Sequence, residues 1–90
     1  MDDWLWQAVS TNGVPVGRVV DVILSSEGEN VIGFEVHCED GRDRFLPRAA
    51  ATRCRSGVEI DTPLALLDTD QLEFYRRRGV SMRRRQEPAA

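Results

Sequence analysis

The 90-residue sequence contains no lysine, a single histidine and only two cysteines. One histidine, with cysteines at 38 and 54 that form no CxxC pair, does not supply an ordinary zinc site. No apolar run approaches the roughly 20 residues that cross a bilayer, and the acidic start is unlike a secretory signal. We therefore predict a cytoplasmic protein with reduced thiols, no metal or cofactor and no membrane insertion.

Charge is distributed unevenly along this single-domain length. Residues 1–45 carry three arginines and nine acidic residues, a net charge of −6, whereas residues 46–90 carry nine arginines and six acidic residues, a net charge of +3. The two halves therefore differ in sign, with an acidic first half and a basic C-terminal end.

Turn signals divide the first two thirds of the chain into short segments with the composition of β-strands. Three dipeptides typical of tight turns mark the boundaries: Asn12-Gly13, Asp40-Gly41 and Ser56-Gly57. The predicted strands cover residues 16–24, 31–38, 42–46 and 58–61, with residues 4–9 as a further candidate. So few strands bury a core best by curling, so we predict a mainly β protein, a small antiparallel β-barrel of five to six short strands.

The C-terminal third has the signals of a helix. Thr62-Pro63 is a suitable helix start, and Asp68 with Gln71 has the spacing of a capping box. Gly79 is a natural C-cap. These signals predict a short α-helix at about 69–78, a domain covering 1–79 and an Arg-rich flexible tail at 80–90.

The segment 17–24, GRVVDVIL, resembles the first conserved strand of the PRC-barrel domain family. Segments 31–36, 44–47 and 58–61 are similar to later strands of that family, and 72–79 is similar to the short C-terminal helix of some bacterial members. The resemblance covers about 14–79 and implies a free-standing barrel that acts as a docking or scaffold module rather than an enzyme. The residues assigned structural roles in this pattern are Gly17, Asp21, Gly33, Pro47 and Gly79.

Two functions known for the family are not implied. The chain lacks the transmembrane helix of the photosynthetic reaction-centre H subunit. It also lacks the additional N-terminal domain of the ribosome-maturation factor that carries a PRC barrel. The resemblance therefore implies a fold and a docking role without naming a partner.

No catalytic constellation is visible in the sequence. His37 falls on the polar face of its predicted strand, and Cys38 falls on the apolar face as a small buried residue. Asp21 interrupts an apolar run, so its carboxylate either reaches solvent or is held by backbone donors or an arginine. We favour a structural role because no partner acid or base is identifiable. Cys54 lies between two arginines, and an inert exposed thiol is favoured over a reactive one.

Two groups of residues are candidates for interaction. Trp4 and Trp6 are two apart, so a strand would place both on one face, where they either close the barrel or form an exposed aromatic patch. The other group is an arginine cluster that could grip phosphates, or instead cap the helix dipole, solvate a tail or lie on the acidic face. Its members are Arg76, Arg77, Arg78, Arg83, Arg84 and Arg85.

These observations lead to three functional hypotheses. The first is a non-enzymatic module that docks a protein partner, with a homodimer as one arrangement. The second is a ribosome- or RNA-associated accessory protein that uses the arginine cluster. The third is a small-molecule or thiol-based sensor at Cys54.

Overall fold

A computed structural model describes residues 4–83, which form seven strands, one α-helix and two short 3-10 turns. The strands are β1 (Ala8–Thr11), β2 (Val14–Leu24), β3 (Val31–Cys38), β4 (Asp43–Pro47), β5 (Thr52–Cys54), β6 (Gly57–Glu59) and β7 (Val80–Ser81), and the helix α1 is Thr69–Arg78. The 3-10 turns are Arg48–Ala50 and Pro63–Ala65. The predicted mainly β class with one C-terminal helix is confirmed.

The strands form one sheet in the order β4-β3-β2-β1-β6-β5, and β7 pairs with β2. The prediction of a purely antiparallel arrangement is wrong at one place, because β1 and β6 run parallel. The backbone N–H of Ile60 donates to the carbonyl of Ser10 at 2.9 Å beside this pair. The sheet is not closed into a barrel, because its two end strands, β4 and β5, do not pair; the Arg48–Ala50 turn lies between them in the sequence.

Strand alternation separates two apolar clusters on opposite faces of the sheet. Val22, Phe34, Val36 and Leu46 belong to the larger cluster, which also receives residues from β1 and β6. The smaller cluster is formed by the buried side chains of Ile23, Phe45 and Leu72. We call the side of β2, β3 and β4 that carries this smaller cluster the helix face, because α1 supplies Leu72 there.

The helix occupies the predicted residues, Thr69–Arg78. Leu72 is buried, and the ring of Tyr75 stacks on that of Phe45 with centroids 4.3 Å apart. At the N-terminus Asp68 makes no side-chain capping hydrogen bond, so the capping-box interaction is not formed. Packing on the sheet therefore contributes more to this helix than its cap does.

The Thr62-Pro63 signal marks the start of a 3-10 turn rather than of an α-helix. The Thr62 side chain accepts a hydrogen bond from the Leu64 N–H, and the Pro63–Ala65 turn follows. A cap can begin a single 3-10 turn that the next residues do not extend into a helix.

The predicted tail at 80–90 begins too early. Val80–Ser81 pairs antiparallel with the end of β2, and Met82 is buried. Residues 80–83 therefore belong to the folded domain. The prediction missed them because two residues are too short for a strand pattern. Residues 84–90 of the predicted tail lie outside the described residues.

The first strand also differs from its prediction. It begins at Ala8, and Trp6 lies before it with a positive φ of 66°. Residues 4–9 are therefore not one continuous strand. Because Trp6 has a left-handed backbone conformation, side chains do not alternate between two faces through residues 4–9, and Trp4 and Trp6 do not share a face.

Close contacts with neighbouring backbone atoms explain why two of the positions assigned structural roles hold glycine. A Cβ on Gly17 would lie 2.7 Å from the His37 carbonyl oxygen, and one on Gly79 would collide with the carbonyl of Leu24. Gly79 ends α1 in an extended conformation, so space rather than left-handed backbone requires glycine there. Pro47 ends β4, where the chain leaves the sheet.

Replacing Gly33 by alanine tests the packing of the smaller cluster. A Cβ there would collide with the Phe45 ring and the backbone of Leu46, which cannot move independently. We expect a loss of about 3 kcal/mol in the free energy of unfolding by urea. Gly13→Ala is the matched control, with a φ of +80° and nothing within 4 Å of the added Cβ, and should lose only about 1 kcal/mol. Equal losses would contradict the packing explanation.

Candidate functional site

A buried carboxylate joins the C-terminal segment to the middle of the sheet. Asp21 is only 3% exposed. One of its oxygens, Oδ1, accepts hydrogen bonds from the N–H of Val22 at 2.8 Å and the N–H of Arg83 at 3.0 Å. The other, Oδ2, accepts a short hydrogen bond from the Ser81 hydroxyl. Backbone donors thus accommodate the charge, which is one of the alternatives left open by the sequence.

A second buried carboxyl group lies opposite the first on the neighbouring strand. Glu35 pairs with Asp21 in the β2–β3 register and is 8% exposed. Burial, the largest cause, and the Asp43 carboxylate, which accepts a hydrogen bond from the protonated form, together raise the pKa of Glu35 from 4.5 to about 7. The guanidinium of Arg76, 3.8 Å from Glu35 Oε1, opposes this rise only in part.

Asp43 connects this pair to the solvent-exposed edge. Its hydrogen bond with Glu35 lowers the pKa of Asp43, and His37, whose Nδ1 is 2.6 Å from Asp43 Oδ1, lowers it further. The Asp43 carbonyl accepts a hydrogen bond from the Thr69 hydroxyl at 2.8 Å, which fastens the start of α1 to β4. We call Asp21, Glu35, His37 and Asp43 the carboxylate cluster.

Sequence reasoning missed this cluster as a unit. Alternation in β3 places Glu35 and His37 on one face, but Asp43 joins them only through the β3–β4 register, in which it pairs with His37. The cluster brings a carboxyl group with a pKa near neutrality beside a histidine. The carboxyl group of Glu35 faces α1, and that of Asp21 contacts β7. No group of three acidic, histidine or cysteine side chains within residues 4–83 is arranged to hold a metal ion.

Trp6 forms the second unusual feature, on the outside of the same region. Trp6 is 54% exposed, and its backbone N–H donates to the Val19 carbonyl at 2.8 Å. Its carbonyl accepts from the Arg18 guanidinium at 2.6 Å. The Arg83 guanidinium carbon lies 5.7 Å from the indole centroid, and that side chain also donates to the carbonyl of Val20 at 3.2 Å. We call Trp6, Arg18, Val20 and Arg83 the Trp6 surface.

A shallow groove of about 320 Å³ continues this surface toward the carboxylate cluster. Arg18, Val20 and His37 are among its lining residues, and Glu39 is its acidic member. Arg18 and His37 are direct cross-strand partners in the sheet. The Trp6 surface therefore contributes Arg18 to a groove whose acidic member is Glu39.

Trp4 does not join Trp6. It is partly buried, packs on the larger cluster, and its ring lies 4.6 Å from that of Phe34. The guanidinium carbons of Arg48 and Arg53 lie 4.8 Å and 5.8 Å from its ring centroid. The expectation of one shared face is therefore wrong: Trp4 packs on the core and Trp6 is exposed.

The arginine cluster is divided among separate contacts. Arg76 approaches Glu35, Arg77 lies 3.9 Å from Glu73, and the guanidinium carbon of Arg78 lies 4.5 Å from the centroid of Phe74. Arg83 belongs to the Trp6 surface, whereas Arg84 and Arg85 lie outside the described residues. Of the first triplet, only Arg76 contacts the sheet, whereas Arg77 and Arg78 contact residues of their own helix.

The remaining candidates are placed more simply. Cys38 is buried, and Cys54 is exposed with its sulfur 3.6 Å from the Ser56 hydroxyl. An adjoining groove of about 440 Å³ shares Glu39 with the first and is lined by apolar side chains, which include Val16 and the 85% exposed Leu64, and by the charged Asp40 and Arg44.

The sequence was compared with models of known protein families and with curated proteins, and neither comparison found a match. Within residues 4–83, no helix is both long and apolar enough to cross a membrane.

Proposed function

We propose that this chain is a non-enzymatic, PRC-barrel-like docking module that binds an acidic segment of a protein partner at the Trp6 surface. The curled sheet acts as a small barrel-like scaffold, and placement in the cytoplasm is part of the proposal. The chemistry of the surface supports this assignment, since tryptophan and arginine are the residues most enriched among binding hot spots.

The observation that carries the proposal is the exposure of Trp6. Half of a large indole faces solvent even though hydrogen bonds hold its backbone on both sides. An aromatic side chain in a fixed position loses little conformational entropy when a partner covers it. The guanidinium groups of Arg18 and Arg83 beside it favour a partner with carboxylates.

A specific contact favours RNA as the second candidate. Arg83 lies beside the exposed indole, and an aromatic ring with a neighbouring arginine can stack a base and hold a phosphate. Against it, Arg76 faces the buried Glu35 within the domain, which leaves fewer cations for phosphates. The protein partner is therefore preferred.

Trp6→Ala should weaken binding of a glutamate-rich peptide by at least tenfold, because it removes the proposed hot spot. Fluorescence anisotropy of the labelled peptide measures this, and a uridine oligonucleotide of equal charge is the comparison. Leu64→Ala is the matched control: it removes another exposed apolar side chain, which lies in the adjoining groove and outside the Trp6 surface, and should leave affinity unchanged.

Each alternative has a distinct outcome in this experiment. Tighter, Trp6-dependent binding of the oligonucleotide would favour RNA. Loss of peptide binding in Leu64→Ala alone would move the site to the apolar groove. Self-association lost in Trp6→Ala, without peptide binding, would make a second copy the occupant. Absence of binding by either probe would overturn the proposal.

A further inference from the structure

The segment 69–83 is fastened to the sheet by polar contacts at its start, middle and end. The Thr69 hydroxyl donates to the Asp43 carbonyl, Arg76 faces Glu35, and Asp21 accepts from the N–H of Arg83. Leu72 packs in the smaller apolar cluster between these contacts. The carboxyl groups in two of these contacts, Glu35 and Asp21, are opposite each other in adjacent strands.

The charges around Glu35 do not balance when it is ionised. Strand β2 contributes Asp21, and β4 contributes Asp43. Strand β3 adds His37, whose Nδ1 is directed to Asp43 rather than Glu35. From α1 only Arg76 faces the group, at 3.8 Å. The Arg83 guanidinium, beyond β7, is directed to Val20 and Trp6.

Protonation resolves this imbalance. A neutral Glu35 removes one buried negative charge and can donate to the Asp43 carboxylate, and its pKa of about 7 expresses that preference. Water can hydrate an ionised Glu35 only when α1 moves away from the helix face, and β7, which directly follows α1, detaches from β2 with it. Local opening of this kind is an ordinary low-energy fluctuation of a terminal element.

We propose that Glu35 is a proton-binding site that controls the attachment of residues 69–83 to the sheet and, through Arg83, the assembly of the Trp6 surface. The proton is the ligand, and Asp21 and Asp43 are the positioning carboxylates. The link to the Trp6 surface rests on the proposed docking function. Attachment of the segment does not depend on that function.

The direction of the effect follows from linkage. The attached state has the higher pKa, about 7, and the open state has the ordinary value of 4.5. Attachment is therefore fully stabilised below about pH 4.5 and weakens as pH rises to about 7. The opening equilibrium should increase by about 300-fold over this interval and change little at higher pH.

Amide hydrogen exchange of the full chain tests the proton site without any partner. Opening constants for β7 and α1 are measured from about pH 5 to about pH 8, after correction for intrinsic exchange. In the wild type they should rise by at least tenfold, and in Glu35→Gln by less than about threefold. Glu39→Gln, which removes an exposed carboxylate from the neighbouring chain segment, should behave as the wild type.

A second variant keeps the test decisive if Glu35→Gln folds poorly. Arg76→Gln removes the cation that lowers the pKa of Glu35, so the transition should move to higher pH. A rise in opening that is identical in wild type and Glu35→Gln, or an unmoved transition in Arg76→Gln, would overturn the proposal.

Peptide binding measured over the same pH range separates the two proposals. Affinity that falls with pH in the wild type but not in Glu35→Gln supports the link between the proton and the Trp6 surface. Peptide binding without a Glu35-dependent change would overturn that link and leave docking intact. Glu35-dependent exchange without peptide binding at any pH would overturn docking and retain the proton site.

Discussion

Replacing Glu35 by glutamine should raise the free energy of unfolding by about 3 kcal/mol at about pH 8 and leave it nearly unchanged at about pH 4. Glutamine has the size of a protonated glutamate and cannot ionise. A pKa that rises from 4.5 in the unfolded chain to about 7 in the fold means that the wild type loses stability as pH increases between these values. The variant lacks that loss, so the gain from substitution grows through the same interval.

Urea denaturation of both proteins at a series of pH values measures this difference directly. The comparison isolates Glu35, since the other carboxylates titrate in both proteins. Asp40→Asn is an informative contrast, because Arg44 holds the pKa of the exposed Asp40 at about 2. Its effect should be a small loss of stability that is constant above about pH 4 and disappears as pH falls toward about 2. A difference between wild type and Glu35→Gln that is constant with pH would show that Glu35 is not preferentially protonated in the fold.

Replacing Asp21 by alanine should cost about 3 kcal/mol, the second large effect. The substitution leaves the buried N–H of Val22 and the part-buried N–H of Arg83 without their acceptor, and an unsatisfied buried donor costs about 1–3 kcal/mol. It also detaches Ser81 from the sheet-side carboxylate. We therefore expect lower stability and, in the folded protein, faster exchange at β7 than in β3.

Asp21→Asn is the matched variant for this experiment. The amide retains one oxygen acceptor and nearly the same volume, so about half of the loss should be recovered. Removing the negative charge should also lower the pKa of Glu35, to which Asp21 contributes a repulsive interaction. Equal losses in the alanine and asparagine variants would mean that the charge itself, rather than hydrogen-bond acceptance, fastens the C-terminal segment.

Local sequence patterns were sufficient for most of the secondary structure. The alternation of residues 31–38 and the turn dipeptides around them indicate strands that the structure contains, and α1 covers the predicted 69–78. These features depend on periodicity and turn chemistry, which act over a few residues. The same patterns were insufficient where elements are very short, as at β7, or where one left-handed residue interrupts a strand, as at Trp6.

The candidate site could be predicted only in its parts. Asp21 was recognised as an unusual residue, and Trp6 and Arg83 as candidates for interaction, but nothing in the sequence brings residues 6 and 83 together. His37 appeared as a lone histidine because its carboxylate partner lies across a hairpin. Burial of Glu35 beneath α1 depends on helix placement, which strand alternation does not determine.

The sequence by itself determined the class of this protein: a small mainly β domain with a C-terminal helix, whose strands follow from alternation and turn residues. Tertiary structure decided the parallel pairing of β1 with β6, the attachment of β7, and the meeting of Asp21, Glu35 and Asp43. The physical reason is the separation of the partners along the chain. A carboxylate at 21 that accepts from an N–H at 83 is specified by how the sheet and helix pack, and packing depends on the whole core at once.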